Sequence, residues 1–180
     1  MKRIIKRILE YEELAILFFP LVVLYVAPLF HEIGHIIVLK SFSCQIKSKI
    51  FFSFTSGIVG HIEPLCELTQ LEAILVMWAG AFTTLILSLV FFSLAGMWRK
   101  RLFLPIMMDS IALGFFVSSF IDTLVGKGDI FLIFKILGIE IPPVFLSLIA
   151  FVLIAISLMY FWHAISEREK IFESREMLKT

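Results

Sequence analysis

The sequence predicts an all-α, polytopic membrane protein: four transmembrane helices, with a membrane-associated β-hairpin between the first and second. Three observations predict it. Hydrophobic residues make up 60% of the 180 residues, 20 of them Phe, and mean hydropathy is +1.00; a soluble domain of this length cannot hide that much apolar surface. Four apolar stretches each reach the ~20 residues a helix needs to cross a hydrocarbon core. Between the first two lies KIFFSFTSGIVGHIEPL, too short to span and carrying a turn signal between β-prone runs.

The N-terminus, MKRIIKR, is basic and precedes apolar sequence, as a signal peptide would. The apolar stretch is too long for one, no small-residue cleavage site follows, and it contains His31-Glu32-Ile33-Gly34-His35. It therefore reads as a retained first span over about 14–40. In the hairpin, Ser56-Gly57 is the turn between the runs 50–54 and 58–62. The second span covers about 73–98 and the third about 102–125, separated only by Arg99, Lys100 and Arg101, which makes them a tight helical pair. The fourth covers about 144–162, and the charged tail 164–180 extends its helix into water. No internal repeat or linker divides 1–180, so the chain reads as a single domain.

Lys and Arg placement gives orientation. With the N-terminus in the cytoplasm, eleven basic residues fall on that side, in the N-terminus, the Arg99–Arg101 cluster and the tail, against five outside: Lys40, Lys47, Lys49, Lys127 and Lys135. Both termini are expected to be cytoplasmic. A net charge of +1 gives no concentrated basic face, so no nucleic-acid partner is expected. Cys44 and Cys66 lack metal-type spacing; they can meet as a disulfide, but two separate buried thiols are the first reading.

The chemistry lies in residues 31–35, an HExxH pattern. Positions i and i+4 share one helix face, so His31 and His35 reach one metal ion. Glu32 beside them is placed as a base toward a water at that metal. Ionisable side chains deep in an apolar helix are costly and usually have a job. A catalytic zinc takes three protein ligands and leaves one position open, and the chain offers three aspartates: Asp109, Asp122 and Asp129. The first and third spans run in the same direction. The histidines lie roughly 25–31 Å along the first, whereas Asp109 lies only roughly 10 Å along the third, on the wrong side, and reads as a packing residue. Asp122 comes level with the histidines at roughly 30 Å. Asp129 follows the Gly126-Lys127-Gly128 turn, which can fold it back to the same depth. By depth, either serves as third ligand.

These residues, in this order, resemble the site-2 protease family of intramembrane zinc metalloproteases. HEIGH at 31–35 matches its HExxH helix, and the segment with Gly57 and Gly60 looks like its membrane-associated hairpin. Ala79-Gly80-Ala81-Phe82-Thr83-Thr84 is similar to its small-residue helix motif, with Ala81 and Thr84 in place of Pro and Asn. The stretch 120–129 resembles the family's Asp-Gly region, although Ile130 follows Asp129 and the family's Pro is missing. The resemblance covers roughly 25–138, and only HExxH is specific taken alone. It implies one Zn²⁺ held by His31, His35 and Asp129, Glu32 as catalytic base, and membrane-protein or transmembrane-peptide substrates in the bilayer. It puts Asp122 in a supporting or substrate-orienting place, the alternative being the ligand itself. It also implies a site nearer the cytoplasm, whereas the charge bias puts it nearer the outer face.

Weaker signals complete the reading. Gly80, Thr84 and Ser88 recur every four residues, a close-packing stripe expected against the metal-bearing helix. His61 beside Glu63 is a possible supporting residue, read first as an interfacial histidine. His163 is on the far side of the membrane and structural. The competing functions are a catalytically inactive zinc-binding membrane regulator and a metal-transporter subunit. The latter needs ionisable residues along a whole route, and here they cluster at one depth.

Overall fold

The computed structural model describes residues 17–53, 57–98, 103–125 and 128–177. The expected basic N-terminus, the tip of the hairpin, the Arg99–Arg101 connection and the Gly126-Lys127 pair lie outside the described residues.

Helix α1 runs Leu17–Ser41, with a π-helical turn at Val22–Val26. Pro28 follows in the first turn of the α-helical part. A proline donates no backbone hydrogen bond, so the ladder is already broken here, and a widened turn absorbs the defect. Strands β1 (Ile46–Ser53) and β2 (Gly57–Pro64) then form a two-stranded antiparallel sheet. Helix α2 spans Gln70–Met97, α3 Phe103–Leu124, α4 Asp129–Ile136 and α5 Pro143–Met177. Four of these helices are long and apolar enough to cross a membrane, so the chain has the character of a multi-pass membrane protein with a hairpin between its first two spans.

The structure moves one expected boundary, carries the tail as helix as expected, and adds one element. Helix α2 starts three residues early because Thr69 caps it: its hydroxyl accepts from the Glu72 amide at 3.3 Å, and the Glu72 carboxylate accepts from the Thr69 amide at 2.8 Å. Helix α5 runs on to Met177, carrying the charged tail as continuous helix. Helix α4 is an element the sequence reading lacks. At eight residues it is shorter than any spanning pattern, and it begins at Gly128, whose φ of 94° only glycine adopts freely. Gln70 Nε2 donates to the Ile136 carbonyl at 2.8 Å, tying the end of α4 to the start of α2.

The cysteine reading is corrected. Cys44 and Cys66 form a disulfide. The hairpin register pairs Ile46 with Pro64, and the Leu65 amide bonds the Gln45 carbonyl at 2.8 Å, so the same ladder continued one pair outward sets Cys44 opposite Cys66. Around that bond, Leu39 and Val76 form a buried cluster with Ile62 and Met77, which joins the end of α1, the hairpin base and the start of α2.

Helix α3 is the centre of the bundle. Of its most apolar window 61% is buried, against 11% for α5. Its face explains this: Ala112, Gly114, Ser118 and Ser119 are small, which lets neighbouring helices close on it. The expected small-residue stripe on α2 divides between two partners. Gly80 faces the histidines of α1, whereas Thr84 shares a 2.7 Å hydrogen bond with Ser119 and Ser88 donates to the Ala112 carbonyl at 2.8 Å, both on α3.

Candidate metal centre

His31 and His35 stand one helical turn apart on α1, their ring centroids 4.8 Å apart. The first residue of α4 meets them. Asp129 Oδ2 lies 2.9 Å from His31 Nε2 and 3.1 Å from His35 Nε2. One donor atom from each of the three residues falls within 4.8 Å of the others, and the group can hold a metal ion. Of the two aspartates that depth left open, Asp129 makes these contacts. Asp122 lines the same cavity without joining the group.

Helix α2 orients His35 and seats both imidazoles. His35 Nδ1 lies 2.7 Å from the Val76 carbonyl of α2. A carbonyl only accepts, so Nδ1 carries the proton and the lone pair of the neutral ring sits on Nε2, facing the group. Two glycines make room in opposite directions. A Cβ on Gly80 would come within 2.5 Å of His31 Nε2 and 2.6 Å of His35 Nε2, and one on Gly34 would come within 2.5 Å of the Ala79 carbonyl oxygen. Gly34, inside the HExxH segment, thus lets α1 approach α2, and Gly80 gives the imidazoles their seat. A third glycine, Gly60 on β2, abuts the Glu32 side chain so closely that any Cβ would collide with it. The hairpin therefore backs the carboxylate of Glu32.

A cavity of about 380 Å³ holds His31, Glu32, His35, Asp122 and Asp129 together, with Pro28, Ile121 and Val125 among its apolar walls. Burial works against the charge of Asp129. When the Nε2 atoms of His31 and His35 are protonated, as a metal would not allow, their hydrogen bonds and charge outweigh it and hold the carboxyl well below the usual carboxylate range. The cavity thus gathers four carboxylate- or imidazole-bearing residues of the expected set, with Asp122 as a fifth.

The other expected residues fall elsewhere. His61 pairs with Lys49 on the hairpin, and its side chain lies outside the described residues. Asp109 is 2% exposed and lines a separate cavity between α2, α3 and α5. His163 is exposed on α5. The sequence reading missed the Val76 carbonyl, since a backbone acceptor leaves no trace in residue type. It also missed the seats at Gly60 and Gly80, whose only sequence signal is a glycine among larger residues. Compared with protein-family models, curated proteins and solved structures, the chain matches none.

Proposed function

We propose that the protein is an intramembrane zinc metalloprotease that hydrolyses peptide bonds of membrane-associated substrates. The observation that carries this reading is the meeting of His31, His35 and Asp129 in one cavity with Glu32. Two imidazole nitrogens and one carboxylate oxygen are the donor set of a catalytic zinc with an open position. Ligand atoms about 2.0–2.1 Å from a tetrahedral ion sit about 3.3 Å from each other, close to the 2.9 and 3.1 Å measured here.

When bound, zinc supplies a Lewis acid that polarises a water or a carbonyl and brings the water's pKa towards neutrality. The chain's own residues do the rest. His31 and His35 present Nε2 lone pairs, and the Val76 carbonyl keeps His35 in that tautomer. Glu32, held against Gly60, takes the proton of the attacking water and returns it to the leaving amine. The π-helical turn and Pro28 lie where α1 lines the cavity, a place where a substrate segment with unwound backbone would find partners other than lipid.

Two features support placing this end of the molecule, and its water supply, on the extracytoplasmic side. One is the bias of Lys and Arg to the opposite end. The other is the Cys44–Cys66 disulfide at the base of the hairpin, because disulfides persist in oxidising compartments.

One feature favours a zinc-binding regulator without turnover: Ile130 follows Asp129 where the resembled family has Gly. The test separates the two. Purified protein is assayed for bound zinc, and then for cleavage of a transmembrane reporter with and without chelator. One zinc per chain with chelator-sensitive cleavage supports the protease, zinc without cleavage supports the regulator, and protein that retains no zinc overturns both.

A further inference from the structure

The cavity contains one carboxylate more than the metal and its base account for. Asp122, on α3, lines it together with His31 and Glu32, and its Cβ packs beside Gly128, the residue before Asp129. Its side chain is exposed, and it makes no hydrogen bond or ion pair among the described residues. Asp129 is the carboxylate of the metal group and Glu32 the proposed base; Asp122 is a third carboxylate lining the same cavity. The walls around it, Ile121 and Val125 on its own helix and Val23 and Leu24 on α1, are apolar and carry no cation. A lone carboxylate among apolar helices is costly unless a cation or water meets it.

We propose that Asp122 is a specificity-determining residue that pairs with a cationic group of the substrate, set among apolar residues near the scissile bond. This rests on the protease reading above and names its substrate class: a membrane peptide presenting an ammonium or guanidinium at the metal. The cation has two possible sources, a Lys or Arg side chain or the peptide's own N-terminal amine, and both share the chemistry Asp122 selects. A pairing of this kind strengthens binding more than a neutral contact does, and a site built for it discriminates against the uncharged analogue.

The test uses full-length, zinc-loaded protein in lipid vesicles and a set of apolar transmembrane peptides. One series walks a single Lys along the peptide, a matched series carries Gln instead, and each is made with a free and an acetylated N-terminus. The expected result is about ten-fold or greater preference in kcat/KM for the charged peptide at one register, with acetylation reporting whether the amine or the side chain is responsible. In D122N the Lys-to-Gln ratio falls to near one. The same ratio is read as a Kd in E32Q and E32Q/D122N, where no turnover intervenes. D122N is first checked for unchanged zinc stoichiometry, which separates lost selectivity from a damaged metal group. Cleavage without charge preference, or a preference that D122N leaves intact, overturns this inference and spares the protease. No cleavage of any peptide by zinc-loaded wild type overturns both.

Discussion

Two cavities of similar size, about 380 Å³ at the metal group and about 340 Å³ around Asp109, sit among the same apolar helices. Each contains a carboxylate, yet only one is a candidate for chemistry. At the metal group, α1 supplies two imidazoles, α4 a carboxylate and the hairpin a backing for Glu32, so that donor atoms from separate elements meet. Glycines at 34, 60 and 80 remove the side chains that would hold those elements apart. Around Asp109 the walls are Leu, Phe, Ile and Ala, with Ser88, Ser157 and Tyr160 as the other polar side chains. Burying an ionisable group is therefore not the mark of a site. The mark is convergence, together with the backbone room that permits it.

The largest effects expected from breaking this contrast are at Glu32 and Asp129. Glu32→Gln keeps the shape and removes the proposed base. Cleavage of a transmembrane reporter should fall by about 10²–10⁴-fold or more while zinc content measured on the purified variant stays at the wild-type level. Retained cleavage would assign the base elsewhere. Asp129→Ala removes one of three ligands, and zinc affinity in a competition titration should fall by on the order of 100-fold or more. Asp122→Ala should leave it near wild type. The opposite pattern would exchange the roles of the two aspartates.

Filling a seat comes next. Gly80→Val puts methyl groups where the imidazoles lie, 2.5 and 2.6 Å from the site of its Cβ. Overpacking of this kind costs about 1–3 kcal/mol, and here the atoms displaced are the metal donors. Zinc retention should therefore drop more than thermal stability does. Gly96, with nothing within 4 Å of its own Cβ position, is the matched control. If Gly96→Val harms zinc binding as much as Gly80→Val, the seat has no special part.

Much of this was legible in the sequence because the signals were local. The spacing of His31 and His35 on one helix face, the four apolar runs and the Ser56-Gly57 turn each depend on residues near one another in the chain. The selection of Asp129 over Asp122 was not legible from depth, since it depends on how far a short helix folds back after a glycine turn, which no spacing along α3 encodes. Helix α4 was hidden for the same reason: eight residues, six of them apolar, fit several conformations until Gln70 and the bundle fix them. The disulfide is a different case. Its two cysteines are equidistant from position 55, the centre of the observed register, and a hairpin centred one residue before the midpoint of the runs 50–54 and 58–62 would have paired them.

That pairing gives a smaller expected effect. Closing a loop with a sequence separation of 22 is worth about 3 kcal/mol against the opened chain. In a Cys44→Ser/Cys66→Ser variant it should appear as faster amide exchange in the hairpin and a lowered melting temperature. The ligands do not touch the bond, so zinc content should change little. Unchanged exchange across Ile46–Pro64 would mean that the Leu39 and Val76 cluster holds the hairpin base without it.

The smallest effect is expected at Asp109, where the contrast between the two cavities is sharpest. Asp109 is as deeply buried as any residue of the metal group, 2% exposed against 7% for His35, so a rule based on burial of charge ranks it first. A rule based on convergence ranks it last, because the metal donors lie in another cavity and none of them lines this one. Asp109→Asn preserves the shape and removes the charge. Convergence then requires zinc affinity and reporter cleavage within about two-fold of wild type, since changes at sites with no shared partners act independently. A loss comparable to Asp129→Ala would join the two cavities into one functional unit through α3, and the boundary drawn here around the metal centre would then be too tight.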